Sequence, residues 1–148
     1  MAADRRSGFT LVEILIVVAI IALLAATIAP QVFDLSKHAN SSTAEFNLRT
    51  LRSQIEVYKS QHDGRLPTGT LAELTNKTDF DGAIGTTALF PFGPYLREIP
   101  ANPFTNNNSV TLISNSPAHS SNVTGNGGWL YNATTGEIWL DHVDYVQK

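Results

Sequence analysis

Phe9-Thr10-Leu11-Val12-Glu13-Ile14-Leu15-Ile16-Val17-Val18-Ala19-Ile20-Ile21-Ala22-Leu23-Leu24-Ala25-Ala26-Thr27-Ile28-Ala29 runs without a break into Pro30. Of these 21 residues only Thr10, Glu13 and Thr27 are polar. Wound as an α-helix, the run is about 32 Å long, close to the hydrocarbon thickness of a bilayer. Its many β-branched residues are mediocre helix formers in water. In lipid, however, a lone span can satisfy its backbone only as a helix. The residues before it, Met1-Ala2-Ala3-Asp4-Arg5-Arg6-Ser7-Gly8, are polar. Arg5 and Arg6 are expected to stay on the cytoplasmic side, which sends the rest of the chain outward.

Glu13 does not suit a plain anchor. A carboxylate inside the bilayer costs on the order of 2.5–3.5 kcal/mol at mid-depth, and less near the surface. A cation at the same depth, supplied by another copy of the chain, offsets that cost. A cut between Gly8 and Phe9 creates one, because the freed Phe9 amine sits at the start of the same helix. Glu13 of one subunit would then pair with the Phe9 amine of its neighbour. Two blander readings stand beside this one. The segment is a simple membrane anchor, or it is an ordinary secretory signal cleaved near Thr27-Ile28-Ala29.

Gly8-Phe9-Thr10-Leu11-Val12-Glu13 with its aliphatic continuation and Pro30 resembles the class III signal of type IV pilins and type II secretion pseudopilins. The resemblance implies a prepilin peptidase that cleaves after Gly8 and N-methylates Phe9. It also implies that Glu13 takes part in assembly and that the apolar helices pack into a filament core. A second stretch, Tyr58-Lys59-Ser60-Gln61-His62-Asp63-Gly64-Arg65-Leu66-Pro67-Thr68, resembles the pseudopilin pattern at the end of the long helix, a Tyr followed by a Gly-containing turn and a Pro. The fold implied is α+β, a pilin-like lollipop whose long helix packs on a small antiparallel sheet.

Pro30 lacks an amide hydrogen and collides with the carbonyl four residues back, so a bend is expected there. Beyond it, Ala44, Leu48, Leu51, Ile55 and Tyr58 recur at spacings of three and four, the stripe of an amphipathic helix. One nearly continuous helix is expected over 9–62, ended by Asp63-Gly64. The organisation is thus a leader at 1–8, a membrane or filament-core helix at 9–29, its amphipathic continuation at 30–63 and a periplasmic head at 64–148. Within the head, Thr70-Leu71-Ala72-Glu73 reads as a capping box opening a short helix. The proline-rich segments 90–96 and 99–103 read as loop. Ser109-Val110-Thr111-Leu112-Ile113 reads as a strand, and 128–132 and 137–140 read as a hairpin about Ala133-Thr134-Thr135-Gly136. Both faces of that hairpin carry large apolar groups, so its inward parity is open.

The remaining composition bounds the chemistry. The whole chain has 148 residues, 43% hydrophobic and 16% charged, and a formal charge of −3 from 10 basic and 13 acidic side chains. That balance argues against a nucleic-acid partner bound through a broad basic surface. There is no cysteine, and residues 99–136 contain no Asp, Glu, Lys or Arg. No nucleophile elbow, phosphate loop or zinc-protease helix is present, so no enzymatic activity is expected. His38, His62, His119 and His142 read as surface residues, and Gly125-Asn126-Gly127-Gly128 as a flexible loop. Many major pseudopilins bind calcium in a C-terminal loop, and on that resemblance Asp141 and Asp144, with Glu137 as a third donor, are the candidate ligands. Their plainer reading, like that of Asp79-Phe80-Asp81-Gly82, is a solvated turn. The resemblance implies a non-enzymatic pseudopilus subunit in the inner membrane, with sister copies, other pseudopilins, the prepilin peptidase and the secretion assembly platform as partners. A type IV pilus pilin serving adhesion, motility or DNA uptake, and an exported soluble binding domain, are the alternatives.

Overall fold

A computed structural model describes residues 9–146, except the side chains of residues 30, 33 and 34. Helix α1 spans Leu11–Gln61, 51 residues, and runs through Pro30 without interruption. It ends as its sequence dictates. Asp63 and Gly64 both take positive φ, 54° and 81°, and the Gly64 N–H reaches back to the Lys59 carbonyl at 2.9 Å. That left-handed exit closes the last turn.

The chain divides into two compact units, Met1–Ala39 and Asn40–Lys148. In the first, the described residues form a single helical stem. In the second, the rest of α1 joins helix α2 (Ala72–Thr75) and strands β1 (Val110–Leu112), β2 (Trp129–Tyr131) and β3 (Ile138–Leu140) in the order β1-β2-β3. The five stripe residues Ala44, Leu48, Leu51, Ile55 and Tyr58 are all buried. They pack with Trp129, Tyr131, Ile138 and Leu140 in one apolar cluster. The opposite parity is buried too: Leu130 and Trp139 pack with Ala118 and Val146, backed by Ile113 and Val123. The sheet is therefore covered on both faces, by α1 on one and by the 113–123 crossover with the C-terminal segment on the other.

The sheet is mixed. β2 and β3 form the expected antiparallel hairpin, with Leu130 opposite Trp139. Asn132 shapes its turn by accepting the Thr134 N–H at 2.9 Å, and Gly136 takes φ 80°. β1, by contrast, runs parallel to β2, Thr111 opposite Leu130. A parallel neighbour needs a long crossover, and residues 113–128 supply it. Those same residues then cover the outer face, so the direction of β1 and the burial of Leu130 and Trp139 have one cause.

Two local expectations change. α2 is not capped by Thr70: its N-cap is Leu71, at φ 57°, with no side-chain cap. Glu73 turns instead to Thr68, accepting its N–H at 3.0 Å and its hydroxyl. His62 is not a surface residue. It is fully buried, one helical turn beyond Tyr58, and stacks on that ring at 3.8 Å. Its Nδ1–H donates to the Tyr58 carbonyl at 2.8 Å, and its Nε2 meets the Thr78 hydroxyl at 3.0 Å. The stripe thus continues to a polar ring that can lie inside because both nitrogens are partnered.

Candidate functional site at the start of the long helix

The first turn of α1 is closed by its own side chains. The Thr10 N–H and the Thr10 hydroxyl both donate to Glu13 Oε2, each at 2.8 Å. In return the Glu13 N–H donates to Thr10 Oγ1 at 3.2 Å. This reciprocal Thr-x-x-Glu arrangement is a capping box, which satisfies amide hydrogens that a helix start otherwise leaves unpaired. It revises the account of Glu13. The carboxylate has a partner within its own chain, so part of its cost in lipid is offset before any second subunit arrives. Both donors converge on the one oxygen, Oε2. Thr10 carries little signal in the sequence by itself, because a Thr-x-x-Glu signature marks the start of a soluble helix and this one opens a membrane-length segment.

Beyond this turn, Leu11–Ala29 forms 19 residues of apolar helix, none of them buried. At 1.5 Å per residue that is about 28 Å, enough to cross the bilayer core. Leu11, Leu15 and Leu23 are 83%, 64% and 71% exposed. Phe9, the proposed methylation site, precedes the helix and is 81% exposed. Gly8 lies outside the described residues.

The calcium candidates are not gathered into a ligand set. Asp141 is fully buried, and both its oxygens accept from residues 124–127. The Asp144 side chain is 78% exposed, with His142 Nδ1 3.8 Å away. Glu137 accepts hydroxyls from Ser116 and Thr135, which hold its carboxyl below the usual range. Among the described residues no three His, Asp or Glu side chains converge as metal ligands. A hard cation needs six to eight oxygens with lone pairs to give, and Asp141 has already given its own. The donor set does not fit calcium.

The prokaryotic N-terminal methylation motif matches residues 4–29, spanning Gly8, Phe9, Thr10 and Glu13. The type II secretion system core protein G of Aeromonas hydrophila is 29% identical over 108 residues, 72% of this chain and 73% of that protein. The core protein G of Pseudomonas aeruginosa is 36% identical over 59 residues, 40% of this chain and 42% of that protein. The chain is thus similar to type II secretion pseudopilins, in its N-terminal motif and through much of its length. The competence protein ComGC of Halalkalibacterium halodurans is also similar, 36% identical over 64 residues, 43% of this chain and 62% of that protein. The match thus spans less than half the length of the Pseudomonas relative. No solved structure matches the chain significantly.

Proposed function

We propose that the chain is a structural, non-enzymatic subunit of a pseudopilus that drives protein export by type II secretion. The observation that carries this is a membrane-length helix, uncovered along its whole apolar length, that opens on the Thr10–Glu13 box inside a methylation motif. A prepilin peptidase cuts after Gly8 and methylates Phe9. The protein then waits in the inner membrane with its amino end cytoplasmic and its head periplasmic, the orientation that Arg5 and Arg6 favour. On assembly, sister helices replace lipid around residues 9–29. The Phe9 ammonium of a neighbour pairs with Glu13, whose Oε2 accepts from Thr10. In a low-dielectric filament core such a pair also sets axial register, because a shifted neighbour leaves both charges uncompensated. Other pseudopilins and an inner-membrane platform are the further partners of this cycle.

Mass spectrometry of the mature amino end, made on membrane fractions, tests the proposal. The expected species begins at N-methylated Phe9. A chain intact from Met1, or one beginning at Pro30, overturns it. A pilus-type filament is the second reading, favoured by the similarity to a competence protein. Neighbouring genes separate the two: a secretin with a secretion ATPase supports the first, a retraction ATPase the second.

A further inference from the structure

The glycine-rich segment ahead of β2 is built around a buried acid. Asp141 Oδ1 accepts the N–H groups of Thr124 at 2.7 Å and Gly125 at 3.2 Å. Oδ2 accepts the Gly127 N–H at 2.9 Å and the Thr124 hydroxyl. Three amide hydrogens and a hydroxyl therefore point at one carboxylate, a cradle of positive partial charge shaped for an anion. The carbonyls of Asn126, Gly127 and Gly128 are committed in the same way. Gly127 O accepts Asn102 Nδ2–H at 3.2 Å and the Thr105 hydroxyl at 2.9 Å. Gly128 O accepts the Asp141 N–H at 3.1 Å, and Asn126 O accepts Asn107 Nδ2–H at 2.8 Å. Asn102, itself fully buried, fixes the adjoining turn through its Oδ1, which accepts the Phe104 N–H at 3.0 Å.

The glycines fit this design. Gly125 takes φ 72°, a conformation other residues resist. A Cβ on Gly127 would collide with the Asp141 carboxylate, and one on Gly128 would come within 2.6 Å of the Asn107 carbonyl and 2.7 Å of the Ser109 carbonyl. This segment is therefore a packed element, where a flexible loop was expected.

We infer that the head locks its C-terminal loop with the Asp141 carboxylate and Asn102 in place of a bound calcium ion. A cation seated at Asp141 would face the hydrogen ends of four donors. To displace them it would strand buried N–H groups, Gly127's among them, at a cost no single carboxylate oxygen returns. The carbonyls of Asn126, Gly127 and Gly128, which lie beside that carboxylate in the loop, already accept from Asn102, Thr105, Asn107 and the Asp141 amide. The fold of this head is accordingly independent of calcium.

The full chain in detergent tests this through thermal melts of the buried Trp129 and Trp139 signal, in excess calcium and in a chelator. The expected result is one Tm in both conditions. A calcium site filled at a hundredfold excess over its Kd would raise Tm by roughly ten degrees. Asp141→Asn presents an amide N–H2 to the loop's donors and is expected to lower Tm by several degrees, equally in calcium and in chelator. A rise of about ten degrees in the wild-type Tm with calcium overturns the inference, whether or not the variant folds, and its abolition by Asp141→Asn would place the ion at that carboxylate.

Discussion

The two halves of α1 share one backbone ladder and differ in what covers them. From Leu11 to Ala29 every side chain is exposed. From Ala44 to Tyr58 the stripe lies almost wholly inside, with Leu51 at 0% and Ile55 at 1% exposure. The difference is one of pattern more than of apolar content. In the second half apolar residues return every three or four positions, and the turns between carry Glu45, Arg49, Arg52 and Glu56. That helix can wet one side and bury the other. In the first half apolar residues run all round, so no single packed layer could cover them. The head's helix is completed by its own chain, and the stem's helix requires a surround from outside it.

Substitutions separate the halves most widely. Trp129 is fully buried on the α1 face of the sheet, and its ring N–H donates to the Pro100 carbonyl at 2.8 Å. Trp129→Ala is expected to cost about 3–5 kcal/mol of head stability and to unfold much of the population. Leu23→Ala removes a large apolar side chain from the same continuous helix, yet it should leave the head's melting transition where it was. Thermal denaturation of both variants in micelles makes the comparison. A Leu23→Ala loss approaching that of Trp129→Ala would mean that the stem is covered by the head, and the contrast between the halves would fail.

Much of this contrast was legible in the sequence, because periodicity reports burial directly. The stripe at Ala44, Leu48, Leu51, Ile55 and Tyr58 was readable from spacing alone, as were the hairpin and the apolar span. Periodicity does not report which strand a strand meets. The direction of β1 is set by residues 113–128, whose lack of charge reads as solvated loop, while Ala118 lies buried beneath it. Asparagine hid the rest. Its amide both donates and accepts, so it serves equally well in water or inside. Asn102 and Asn132 are buried among backbone groups in a stretch that composition assigns to the surface. At the candidate site, Phe9 and Glu13 stood out because a carboxylate among aliphatic residues is anomalous. Thr10 did not, since a threonine at a helix start is unremarkable until its partner three residues on is seen to bond back.

Thr10 sharpens the comparison at the stem. If Glu13 serves only to cap its own helix, removing either member of the box has one consequence, the loss of a helix cap. If Glu13 also meets a neighbour's ammonium, its loss strands a charge in the filament core, a larger penalty than a lost cap. Glu13→Gln is therefore expected to cut filament yield by tenfold or more, with membrane insertion and cleavage intact. Thr10→Val should reduce yield only several-fold. Quantifying sheared filaments against total membrane-bound protein distinguishes the cases. Equal losses from the two variants would reduce Glu13 to a cap.

The smallest effect arises from the tyrosines, which the stem lacks. The Tyr58 phenol is pushed up to about 12, first by burial and then by the nearby Glu73 carboxylate, and burial likewise raises Tyr131. In an unfolded chain these phenols ionise near 10. Between that value and about 12 the unfolded chain releases protons that the folded head retains, so the stability from burying neutral Tyr58 is complete below pH 10 and is lost as pH rises toward 12. Residues 9–29 contain no tyrosine. Near-ultraviolet circular dichroism of the head should accordingly hold steady to about pH 9.5 and then decline, while the far-ultraviolet helix signal of the stem persists through the same range. Tyr58→Phe should shift the decline to higher pH without abolishing it, because Tyr131 remains. A decline that begins near neutrality, or one that Tyr58→Phe leaves unmoved, would locate the head's alkaline weakness away from the α1 stripe.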